Sequence, residues 1–83
     1  MTFYIRPRQD LSLATFSRIL KSLYHDGMPH NPALVIDPDS GKSETMIQLS
    51  TNSRIIVEAA INCICDDTGC RRDNFKIIKT EEP

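Results

Sequence analysis

Six segments of apolar periodicity succeed one another along this chain, and their order is the strongest limit on its fold. Phe3 and Ile5 alternate with Tyr4 and Arg6, the period-two pattern of a strand. Residues 11–25 then repeat with a helical period. Residues 33–37 and 43–49 return to strand patterns on either side of Pro38-Asp39-Ser40-Gly41. Residues 54–66 are helical again, and residues 74–79 alternate once more. The order is strand, helix, strand, strand, helix, strand within 83 residues.

Local signals bound these segments. Pro7 ends the first strand or places it at an edge. Asp10 is the expected N-cap of the first helix. Leu13, Phe16, Ile19, Leu20, Leu23 and Tyr24 fall in an arc of roughly 140° on that helix. Gly27 suits the left-handed position that stops it, and residues 28–32, with two prolines, form a connector. In the hairpin turn Pro38 presets φ and Gly41 accepts a positive one. The second helix is apolar over about 240°. Ile55, Ile56, Val57, Ala59, Ala60, Ile61, Cys63 and Ile64 make up that arc, leaving Arg54, Glu58, Asn62 and Cys65 as a polar stripe. Such a helix is either deeply buried or shared with a partner. Gly69 is its expected terminator.

The expected fold is therefore α+β: a ferredoxin-like βαββαβ two-layer sandwich. Its four-stranded antiparallel sheet has order 4-1-3-2 and both helices on one face. The chain is expected to be one small domain over residues 1–83, with residues 80–83 a frayed tail. Phe3, Ile5, Leu34, Ile36, Thr45, Ile47, Leu49, Phe75 and Ile77 would meet the helices.

Composition narrows the function. Ten basic and eleven acidic residues leave a formal net charge of -1, without the basic excess of a general nucleic-acid binder. Cys63, Cys65 and Cys70 are an odd set within eight residues, which fits reduced thiols in the cytoplasm better than a disulfide framework. The N-terminal residues lack a signal-peptide pattern, and no apolar run is long enough to span a bilayer. Thr2 is not the Gly that myristoylation requires.

Several motifs resolve into simpler readings. Gly41-Lys42-Ser43 matches the end of a phosphate-binding loop, but Ile36 stands where its first glycine belongs, and a strand follows instead of a helix. Asp37 and Asp39 match the start of a calcium loop whose later ligands are missing. Cys63 and Cys65 sit about 200° apart on a helix and cannot easily share a metal. Cys63 is expected in the core. Cys70, beside Arg71 and Arg72, is the candidate reactive thiol. His25 and His30 fall at the opposite end of the sheet from Cys70, so no nucleophile–base pair forms. The chain is not expected to be an enzyme, and no cofactor or metal is implied.

Phe3-Tyr4-Ile5 resembles the first-strand motif of RNA-recognition-motif domains. That resemblance implies base stacking on Tyr4. The matching third-strand segment, residues 43–50, has no aromatic. The layout is also similar to amino-acid-binding ACT domains, without their glycine between the first strand and first helix.

Two surfaces remain. The helix-free sheet face would show Tyr4, Val35, Met46, Gln48, Lys76 and Ile78, an apolar centre suited to a protein partner or a second copy. The alternative is an anion or single-stranded nucleic-acid site, made by Arg6, Arg8, Arg71 and Arg72 at one end of the sheet. The expected function is a small soluble binding or regulatory module acting by protein–protein contact, with nucleic acid the lesser option and no membrane role.

Overall fold

The computed structural model describes residues 2–80. Strands β1 (Thr2–Pro7), β2 (His30–Ile36), β3 (Ser43–Leu49) and β4 (Phe75–Thr80) alternate with helices α1 (Leu13–His25) and α2 (Arg54–Thr68) in the order β1-α1-β2-β3-α2-β4. A 3₁₀ turn, Arg72–Asn74, precedes β4. The sheet runs β2-β3-β1-β4 with every neighbouring pair antiparallel. This is the expected ferredoxin-like sandwich.

A single core cluster joins the two layers. Phe3, Ile5, Ile47, Leu49 and Phe75 point up from the sheet. Ile19 and Leu23 of α1, and Val57, Ala60, Ile61 and Ile64 of α2, point down onto them. The helices meet each other through Ser22, whose buried hydroxyl donates to Asp67 Oδ2 at 2.5 Å.

Four local boundaries differ from expectation. The N-cap of α1 is Ser12, whose Oγ accepts from Thr15 N–H at 3.1 Å. Asp10 instead binds both Nε and NH2 of Arg8. β2 begins at His30 and so includes Pro32. Ser50 N–H bonds Pro29 C=O and Asp37 N–H bonds Lys42 C=O, so odd-numbered β2 residues carry the β3 ladder. Pro32 lies at an outward position, where a missing N–H removes no bond.

Pro7 does not end β1 either. It is buried and paired with Phe75. Its inability to donate towards Thr45 is offset by Gln9, whose side-chain amide donates to Thr45 C=O and accepts from Thr45 N–H, each at 3.3 Å. Gln9 also holds Pro7 C=O at 2.8 Å. A primary amide thus extends the ladder where a backbone cannot. Finally, Thr80 is in β4, paired with Thr2, whereas the rest of the expected tail, residues 81–83, lies outside the described residues.

The hairpin turn is fastened by its first residue. Asp37 accepts Asp39 N–H on its side chain at 2.8 Å and Gly41 N–H on its carbonyl at 2.8 Å. Gly41 takes the positive φ, 71°, that returns the chain to β3.

Candidate interaction surface

The register places the six residues expected on the helix-free face as follows. Tyr4 lies between Gln48 of β3 and Ile78 of β4. Met46 pairs with Ala33, Val35 with Glu44, and Lys76 with Arg6. All six do share that face. The expected accessibility fails for two of them: Met46 is 0% and Ile78 4% exposed. Tyr4, Val35, Gln48 and Lys76 are half-buried.

Long neighbouring side chains close this face. Continuing the β1–β3 register sets Arg6 beside Met46. Arg6 Nε lies 3.1 Å from Asp37 Oδ2 and its NH1 3.4 Å from Glu44 Oε2. Arg6 thus leaves β1 beside Met46 while its head is held by Asp37 and Glu44, so its stem runs next to Met46. Its methylenes cover apolar surface while its head stays polar. Arg6 Nε and Glu44 Oε2 are close to their ionic partners but outside hydrogen-bond alignment. Lys76 completes the cluster by binding Asp39 and approaching Asp37 Oδ1 at 3.8 Å. The centre that looked apolar in sequence is thus bordered by an ion-pair cluster of Arg6, Lys76, Asp37, Asp39 and Glu44.

The four arginines of the alternative site meet the same fate singly. Arg8 N–H bonds Asn74 C=O, and Asn74 N–H bonds Arg71 C=O, so the end of β1 and the start of β4 do come together. Each guanidinium, however, has a carboxylate: Arg6 has Asp37 and Glu44, Arg8 has Asp10, Arg71 has Asp73, and Arg72 has Glu58. The adjacent start of α1 is already capped by Ser12.

The cysteines exchange their expected places. Cys63 is exposed, and Cys65 packs half-buried against the core along with Cys70. Asp26 pushes the Cys63 thiol above its ordinary pKa by its charge and by a hydrogen bond, with burial, Asp67 and Asp66 adding to the shift. Burial, then Cys70, raises Cys65, and Arg72 partly opposes this. His30 Nδ1 is engaged with Met28 C=O at 2.8 Å, and His25 stands edge-on to Tyr24.

The accessible apolar surface lies instead where the sequence placed core. Leu34 and Ile36 of β2 are 73% and 64% exposed, and Thr45 beside Leu34 is exposed too. No β2 side chain belongs to the core cluster: the helices cover the strands that carry it and leave β2 overhanging. At the start of α1, Leu13 is 83% exposed and borders a cleft of about 280 Å³, whose other walls include Pro7, Leu11, Phe16 and Thr45. Ile55, Ile56, Ala59 and Cys63 form a further exposed strip on α2, because only Val57, Ala60, Ile61 and Ile64 turn inward.

The backbone of β2 is open as well. With odd residues bonded to β3, the N–H and C=O of Leu34 and Ile36 point away from the sheet. Among the described residues no turn, loop or cap bond reaches them. The alternation of Leu34 and Ile36 with Val35 was visible in sequence; that β2 would be an uncovered edge was visible only through the strand order. No described helix is long and apolar enough to cross a membrane. Comparison with protein-family models, with curated proteins and with solved structures gave no match.

Proposed function

We propose that this chain is a small binding or regulatory module of the cytoplasm that acts by protein–protein contact, and that the contact runs along the β2 edge rather than over the centre of the helix-free face. One observation carries the reading: Leu34 and Ile36 combine exposed apolar side chains with outward, unpaired backbone groups. Sheet edges of this kind are templates for an added strand. Natural edges are commonly blunted by charge, and the opposite edge follows that rule. On β4, Arg8 N–H bonding Asn74 C=O sets the parity, so the backbone groups of Phe75, Ile77 and Lys79 face outward, with the Lys79 side chain exposed. β2 has no Lys, Arg, Asp or Glu from His30 to Ile36. On the helix-free face Val35 of β2 and Gln48 of the adjoining β3 are half-buried beside this edge, with Tyr4 and Lys76 further away on β1 and β4. Three free thiols accord with a reducing compartment.

The test is capture from the native host on immobilised wild-type chain and on Leu34→Lys, read by mass spectrometry. Proteins retained by the wild type and lost on Leu34→Lys are expected. Retention unchanged by Leu34→Lys and by Ile36→Lys overturns the reading. The same chain assayed with single-stranded RNA and DNA at low salt tests the anion alternative, whose binding should fall steeply as salt rises.

A further inference from the structure

The pairing potential of β2 is self-complementary. We propose that β2 pairs antiparallel with β2 of a second copy, with Val35 on the two-fold axis, joining two sheets into one of eight strands. The inference rests on reading the β2 edge as a contact surface and names its occupant.

The register follows from where bonds are possible. Only even-numbered residues of β2 present outward groups. Centring the axis on Val35 sets Leu34 of one copy opposite Ile36 of the other. Each such pair exchanges two backbone bonds, and symmetry doubles the pair to four bonds. The next outward positions are Pro32 and, past the strand end, Pro38, which oppose each other and can donate nothing. The prolines therefore bracket the pairable stretch. Centring on Leu34 also allows four bonds, two at Leu34 and one at each Pro32–Ile36 pair, but only the Val35 centre makes both of its bonded pairs fully reciprocal.

Side chains and charge favour the same arrangement. In a hydrogen-bonded antiparallel pair the two side chains stand on one face. Leu34 and Ile36 of each copy would shelter one another on the helix side, where both are now mostly exposed. Val35 meets Val35 on the other face. The residues from Ala33 to Ile36 are uncharged, so no like charges are opposed, and a charged strand could not pair with itself on these terms. An isologous pairing closes after two copies and does not propagate.

Sedimentation over about 1 µM to about 1 mM reads the equilibrium. The mass is expected to rise from 9.4 kDa towards twice that value. Leu34→Lys, an exposed position, should remain monomeric while Lys79→Ala on the far edge still dimerises. Amide exchange reads the register: the N–H groups of Leu34 and Ile36 should become protected as concentration rises, whereas Val35 N–H, already in the ladder, should not change. Val35→Cys should give a disulfide-linked dimer bridged at that position under mild oxidation, and Ala33→Cys should not. A chain monomeric at about 1 mM, or a dimer whose Leu34 and Ile36 amides stay unprotected, overturns the self-pairing. Loss of host-protein capture on Leu34→Lys, combined with a strict monomer, would sink the self-pairing alone and leave the edge as a surface for other proteins.

Discussion

Arg6 and Asp37 face each other across β3, with Nε 3.1 Å from Oδ2. The carboxylate is buried and the arginine side chain one-quarter exposed. The pair ties the end of β1 to the start of the hairpin turn, and the Arg6 stem stands beside the buried Met46 on the same face. Charge and cover can be separated experimentally. Arg6→Met keeps the stem and should cost about 1–3 kcal/mol, the loss of a charged partner to a buried group. Arg6→Ala should cost measurably more in urea denaturation, because Met46 is then uncovered. Equal costs would remove the covering role.

Met46 itself should behave as a core residue. Met46→Ala is expected to cost about 2–5 kcal/mol. Met46→Asp should abolish cooperative unfolding, since it buries a further carboxylate beside an Arg6 already engaged by Asp37 and Glu44. A folded, stable Met46→Asp would show that the helix-free face opens in solution.

Ser22 and Asp67 join the two helices by a hydrogen bond at a polar margin of their contact, beside Arg18, Lys21, His25 and Asp26. Ser22→Ala should lower stability by about 0.5–1.5 kcal/mol, the loss of one hydrogen bond to a carboxylate that water can still reach. A double-mutant cycle with Asp67→Asn should return a coupling of about 1 kcal/mol, and additivity would mean that the bond contributes nothing.

Gln9 substitutes for backbone at the Pro7 position. Gln9→Ala leaves Thr45 N–H and C=O to water and should cost about 1 kcal/mol. Gln9→Glu keeps the acceptor for Thr45 N–H but loses the donor to Thr45 and Pro7 carbonyls, so it should not restore stability. The amide protons of β3 are the most direct probe: exchange at Thr45 should accelerate in both variants.

Cys63 is exposed, yet its thiol should resist alkylation. Asp26 raises its pKa, so less of the reactive thiolate exists at a given pH. The rate of iodoacetamide labelling at Cys63 should rise through a midpoint above the ordinary thiol value. Asp26→Asn should move that midpoint down and speed labelling near neutral pH. Mass spectrometry of the Cys63 peptide separates it from Cys65 and Cys70.

Much of the fold was legible in residue order. The alternation of Phe3 and Ile5, the helical spacing of Ile19 and Leu23, and Gly27, Gly41 and Gly69 at positive φ all point to the structure found. These signals are local: they depend on periodicity and on which residues tolerate a given backbone angle. The candidate surfaces were less legible. Val35, Gln48, Tyr4 and Lys76 lie where alternation put them, but Leu34, Ile36, Met46 and Ile78 have the opposite accessibility. Alternation reports which face a side chain takes and says nothing of what lies above it.

The linear sequence determined the six elements, their turns and the two sides of each strand, because backbone preference and apolar period act over a few residues. Tertiary structure alone decided that the helices would leave β2 uncovered and that Arg6 would pair with Asp37. Exposure is a property of what distant segments place on top of a residue, and an ion pair between positions 6 and 37 exists only once the sheet has set them side by side.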